Sequence, residues 1–163
     1  SGPEPQRSLL EKMLLPQLGD MGMHCTVLRG LPGEAEIPLA AANIRIFNHA
    51  DTAQLNECLV AAEWVCCRSG YTSIMDLMML RKKCILIPTP GQAEQEYLGR
   101  RMQQNSWART ARQNKLNLAR EWEEARKMNL QRAAISPVNL ATFIANYLDN
   151  SSDSATDPNF AAN

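Results

Sequence analysis

The sequence predicts an α/β fold, a parallel sheet with helices on both faces, on three observations. Four short apolar runs, MHCTVL (23–28), NIRIF (43–47), EWVCCR (63–68) and KCILIP (83–88), are rich in Val, Ile and Cys, as strands covered on both sides require. Helical periodicity fills the gaps between the later runs. Leu55, Leu59 and Ala62 stand at i, i+4, i+7 in TAQLNECLVAA (52–62), and Ile74, Leu77 and Met78 at i, i+3, i+4 in SIMDLMML (73–80). The third observation is the alternation itself, because β and α segments in turn build parallel sheets.

The elements follow in chain order. QRSLLEKMLLPQL opens a first helix just after Pro5, which Pro16 should end or kink because proline removes an interior N–H and clashes with the preceding turn. Residues 30–43, with PGEAEIP, read as loop. After Pro90, AEQEYLGRRM forms a helix, and SWART (106–110) a short edge strand. In KLNLAREWEEARKM, Leu118, Trp122 and Ala125 make one apolar stripe, while Arg120/Glu124 and Glu123/Lys127 can pair across a turn. A last helix is expected after Pro137 in PVNLATFIANYL. The expected domain is 1–149, with 150–163 a disordered acidic tail.

With 163 residues, 45% of them apolar and 21% charged, the chain suits one globular domain. Seventeen basic residues balance seventeen acidic ones, so overall charge gives no reason to expect nucleic acid, and any anion site must be local. Cys25, Cys58, Cys66, Cys67 and Cys84 show no C-x-x-C spacing and sit mostly in apolar runs; they read as reduced core thiols, and no metal is expected. No stretch reaches the roughly twenty apolar residues of a membrane span. The expected setting is cytoplasmic, with peripheral membrane contact left open. The opening SGPEP lacks Met, which suits a fragment or a processed chain.

Three junctions could carry chemistry. Arg68-Ser69-Gly70 follows a strand and precedes a helix, where small residues expose backbone N–H groups to an anion; a plain helix-entry turn is the alternative. SGPEPQR offers a second set of unpaired N–H groups, and Arg7 puts a cation where the helix dipole disfavours it. Either an anion lies nearby or Arg7 simply pairs with Glu11. In PTPGQAEQEY (88–97), Gln92, Glu94 and Gln95 carry groups that suit sugar hydroxyls, or they line a solvated helix start. Asp76 lies about 200° round the helix from Ile74, free to face solvent or a ligand hydroxyl. G-x-G-x-x-G, the P-loop, G-x-S-x-G and H-E-x-x-H are all absent.

Taken jointly, R68-S-G-Y-T-S-I-M-D76 and K83-C-I-L-I-P-T-P-G-Q-A-E-Q95 closely resemble the donor-binding half of GT-B glycosyltransferases of family 28, the family of the peptidoglycan-lipid N-acetylglucosaminyltransferase. The resemblance covers most of residues 1–105. It implies a Rossmann-like parallel sheet, the C-terminal half of a GT-B fold. It also implies that Ser69, Gly70, Ser1 and Gly2 meet the donor pyrophosphate. Asp76 would take the ribose hydroxyls, where the family more often has Glu. Gln95 would bind the sugar, with Gln92 and Glu94 as further candidates, and the base would lie around His49 to Thr52. The implied reaction is sugar transfer from a nucleotide sugar, a UDP sugar by resemblance, to an acceptor hydroxyl with inversion, using no cofactor. The base for the acceptor would lie on a missing N-terminal acceptor domain, so this chain alone should be inactive. The family's first strand, between MHCTVL and EWVCCR, is missing here, which leads to the expectation that the protein continues upstream of Ser1. Two alternatives keep the fold: an autonomous donor-binding subunit working with an acceptor-side partner, and a nucleotide-sugar 2-epimerase-like domain.

Overall fold

The structure, a computed structural model, describes residues 2–130. Ser1, the helix expected after Pro137 and the tail expected at 150–163 lie outside the described residues. In chain order the elements are α1 (Gln6–Asp20), β1 (Cys25–Leu28), β2 (Ile44–Phe47), α2 (Thr52–Ala61), β3 (Trp64–Cys67), α3 (Tyr71–Met79), β4 (Lys83–Leu86), α4 (Ala93–Gln104), β5 (Arg109–Thr110), a 3-10 turn (Gln113–Lys115) and α5 (Leu118–Lys127). Every strand pairing is parallel. β1 runs beside β2 with Cys25 opposite Ile44, and β4 lies between β3 and β5, with Trp64 opposite Lys83 and Ile85 opposite Arg109.

These pairings make two sheets, β1-β2 and β3-β4-β5, among the described residues. No ladder joins β1 to β3, the position where the resemblance places a further strand. The fully buried apolar side chains are distributed accordingly: apart from Leu10, all lie between Ile74 and Ala125. β4 is the centre of this core, with Cys84, Ile85, Leu86 and Ile87 all buried. Ile85 and Ile87 pack with Leu10, Leu118 and Ala125 on the α1 and α5 side, and Met13, Leu14, Leu18 and Trp122 close over them. Residues of the opposite parity, Cys84 and Leu86, point to the other face of the sheet, the side of α3 and α4.

Three expectations change. β1, β2 and α2 contain no buried residue, and Leu55 of the α2 stripe is 38% exposed. The apolar pattern was read as two-sided cover, but a two-stranded sheet with open edges is too narrow a platform to bury it. Helix α1 runs through Pro16 and on to Asp20. Its second half is anchored by Met13, Leu14 and Leu18 against the core, which offsets the roughly 3 kcal/mol that an interior proline costs. On α5 the ion pairs are Glu123 with Arg126 and Glu124 with Lys127, at i+3 spacing, while Glu121 reaches Arg109 on β5 at 2.6 Å. The apolar stripe itself, Leu118, Trp122 and Ala125, faces the core as its spacing requires.

Four thiols cluster loosely about the sheet. Burial pushes the Cys84 and Cys66 thiols up to about 12 and Cys67 to about 11. Cys84 fits the expectation of a core thiol, but Cys66 is exposed: it sits on the open side of β3, walled by protein yet reachable by solvent, and close enough to Cys25 on β1 to feel its charge.

Candidate functional site

Helix starts at the carboxyl ends of the strands define the site. α2 and α5 are closed by side chains: Asp51 accepts from Gln54 N in a reciprocal capping box, and Asn117 accepts from Arg120 N. α1, α3 and α4 are different, since their N-cap residues Pro5, Gly70 and Gln92 make no side-chain cap hydrogen bond. At α1 the Glu4 carboxylate takes the Ser8 N–H instead, at 3.3 Å, while the first-turn N–H groups of α3 and α4 have no such cap; groups of that kind carry the positive end of the helix dipole and suit an anion. Nothing lies within 4 Å of where a Cβ on Gly70 would stand, so the space before α3 is open.

Arg68 ties these starts together. It is buried, and its Nη2 donates to Gln6 O at the start of α1 (2.8 Å) while Nη1 donates to Ile87 O and Pro88 O on the loop into α4 (3.2 Å each). Burial lowers its pKa from the ordinary arginine value. Gln113 Nε2 adds a further tie to Gln6 Oε1 at 2.8 Å. Four buried side-chain atoms among the described residues have no hydrogen-bond partner: Arg7 Nη1, Arg68 Nε, Thr89 Oγ1 and Gln113 Oε1. All belong to the first turn of α1 or to the segments just past β3, β4 and β5. Unpaired buried polar groups are few in native proteins, so these four atoms are candidates for contact with a ligand or an ordered water.

The expected site residues divide into groups. Gly2, Ser69, Gln92 and Gln95 come together around Arg68 and Thr89, with Gly70 following in the chain. Gly2, at φ 121°, lies against Arg68 and Thr89. The Ser69 hydroxyl, expected to meet pyrophosphate, is fully buried and donates to Gln95 O at 2.7 Å, which leaves the turn's backbone as what it can offer. Gln95 Oε1 accepts from Thr89 N (2.9 Å) and its Nε2 donates to Gln92 Oε1 (2.5 Å), so Gln92 keeps its own amide N–H groups unspent. Glu94 and Asp76 are exposed on the first turn of α4 and on α3. Arg7 adopts the pairing alternative: it bonds Glu4 and Ser8 and stands 3.5 Å from Glu11. Glu11 also holds Arg29 (2.8 Å), which reaches Asn48 Oδ1 at 2.6 Å, and His49 follows, exposed, in the loop after β2. Among the described residues, no hydrogen bond or ion pair joins Asp76 or His49 to the Arg68 cluster.

Sequence reasoning passed over Thr89 and gave Arg68 only a structural pairing near the sheet edge, with no ligand contact. The signal for Thr89 was present: a hydroxyl between two prolines directly after a strand stands where Ser69 stands after β3. Gln113 offered no signal, because its tie to Gln6 spans 107 positions of the chain. Among the described residues, no group of three or more His, Cys, Asp or Glu is arranged to hold a metal ion, and no helix is long and apolar enough to cross a membrane.

A parallel α/β unit whose helix starts gather with a buried cation at the strand ends has the architecture that nucleotide-binding folds use. Residues 33–150 match the glycosyltransferase family 28 C-terminal domain, and the chain belongs to that family. Two solved structures are similar to it. "Spinosyn Forosaminyltransferase SpnP" superposes with a TM-score of 0.52 at 12% identity over 74% of this chain and 32% of its own. The glycosyltransferase SnogD from Streptomyces nogalater gives 0.51 at 12% identity over 70% of this chain and 33% of its own. This chain therefore spans about a third of the length of the structures it matches. No curated protein matches its sequence. The fold is that of one half of a GT-B glycosyltransferase, as the Arg-Ser-Gly and Gln-bearing segments imply.

Proposed function

We propose that this domain binds the donor of a glycosyltransferase that moves a sugar from a nucleotide sugar, a UDP sugar in our reading, to an acceptor hydroxyl with inversion. The observation that carries it is the convergence at Arg68: the start of α1 and the loop that leads into α4 are bonded to one buried guanidinium, and α3 begins beside it. Leaving-group charge on a diphosphate is stabilised by such fixed donors, which need no reorganisation as the bond to the sugar breaks. The Gly70 and Gly2 backbones would face the diphosphate, Asp76 the ribose hydroxyls, and the loop from His49 to Thr52 the base. Gln92 is the better placed of the two glutamines to reach the sugar, because Gln95 is already engaged on both amide atoms; Glu94, exposed beside it, can accept from a hydroxyl. The acceptor and the base that deprotonates it come from another domain or a partner subunit, which forms the second wall of the cleft.

Calorimetry of the folded protein with uridine diphosphate and guanosine diphosphate tests this. UDP should bind more tightly than GDP, and Asp76→Ala should weaken UDP about tenfold, the scale of one or two hydrogen bonds to a charged group. Failure of both nucleotides to bind below millimolar concentration would sink the donor-binding reading.

A further inference from the structure

Arg68 holds more unspent chemistry than any other buried group among the described residues. It is 4% exposed and donates to carbonyls of Gln6, Ile87 and Pro88, yet no carboxylate pairs with it, whereas Arg7, Arg29 and Arg109 each pair with a glutamate. A buried cation without a counter-ion is costly unless an anion meets it in the working state. Its Nε–H has no partner, and neither has the Oγ1 of Thr89, which is 1% exposed. Both atoms lie close to Gly2. A Cβ built on Gly2 would stand 3.6 Å from Arg68 Nε and 3.8 Å from Thr89 Oγ1, and glycine leaves that position empty.

We propose that Arg68 Nε and Thr89 Oγ1 form a two-donor seat beside Gly2 that takes one oxygen of an oxyanion, a phosphate oxygen of the donor's diphosphate. The inference rests on the donor-binding reading above and adds two residues to it. The carbonyl bonds on Nη1 and Nη2 hold the planar guanidinium in one orientation, which fixes its Nε–H as well. A lysine would keep the charge and lose the fork that fixes it. Thr89 is fixed in turn by its backbone N–H, which donates to Gln95 Oε1.

The test is titration of the whole chain with UDP, inorganic pyrophosphate and uridine, comparing wild type with Thr89→Val, Gly2→Ala and Arg68→Lys. Thr89→Val is nearly isosteric and keeps the fold assessable if Arg68→Lys does not fold. Thr89→Val and Gly2→Ala should each weaken UDP and pyrophosphate about tenfold and leave uridine within about twofold. Equal UDP binding by wild type, Thr89→Val and Gly2→Ala overturns the seat and leaves a bridging water as its occupant. Parallel losses for uridine and UDP also overturn it, since that is what a merely structural role produces. Pyrophosphate binding that depends on Thr89, in a protein that ignores UDP, would keep the seat and discard the nucleotide reading.

Discussion

Cys84 is buried and a poor nucleophile, because the reactive species is the thiolate and burial pushes its pKa up to about 12. At pH 8 we expect iodoacetamide to modify Cys84 in the folded chain at least about tenfold more slowly than in the unfolded chain, read by peptide mass spectrometry. The same thiols make stability fall with alkali. Their folded pKa values, about 12 for Cys66 and Cys84 and about 11 for Cys67, lie above the ordinary 9.0, so the unfolded chain loses these protons first. Their contribution is complete below pH 9 and disappears as pH rises from 9 towards 12, which should appear as a falling Tm across that range. Gly99 matters for a different reason: a Cβ there would meet the Pro88 ring at 2.9 Å and Thr110 Cγ2 at 3.0 Å. Gly99→Ala should cost about 1–3 kcal/mol in urea unfolding, the usual range for overpacking. Neither property could be read from sequence. A thiol in an apolar run looks the same whether its strand has one neighbour or two, and a helical glycine does not announce what lies above it.

At the scale of elements, α1 and α5 are joined through one side chain. Gln17 donates to Met13 O and Leu116 O and accepts from Leu118 N at 2.6 Å, bridging two helices about a hundred positions apart in the chain. Gln17→Ala should therefore cost about 1–3 kcal/mol by leaving the Leu118 N–H unpaired in a buried place, again measured by urea unfolding. Strand positions were legible because short Val/Ile/Cys runs bounded by polar turns have few other uses. Helix faces were legible too, but with an uneven result. Ile74, Leu77 and Met78 of α3 are buried as their spacing implies, whereas Leu55 of α2 shows the same kind of pattern and is half open. Periodicity says which face a helix turns inward, and it does not say whether anything is there to cover it. Pro16 failed as a stop for the converse reason, since packing that lies outside the local sequence outweighed a local penalty.

At the scale of the whole molecule, the site was legible where chemistry is local and hidden where it is assembled. Ser69, Gly70 and Gln95 stand in recognisable segments, while the role of Arg68 depends on carbonyls at positions 6, 87 and 88 that come together on folding. The core is lopsided in the same sense: β4 is buried from Cys84 to Leu86, and β1, β2 and α2 contain no buried residue. Hydrogen exchange should follow this division, with amides of β1, β2 and α2 exchanging well before those of β4, because local opening is easiest where little apolar surface is covered. Uniform protection across both sheets would contradict it.

Among the described residues no strand pairs with the outer side of β1 or β3, and this bears on how the domain behaves in a tube. A strand edge with free N–H and C=O groups is a template for any extended segment that reaches it, including one from another copy. Handled by itself, this domain should be limited by colloidal stability before it is limited by heat. Concentration-dependent light scattering should rise at temperatures where the α3 and α4 side of the molecule is still folded.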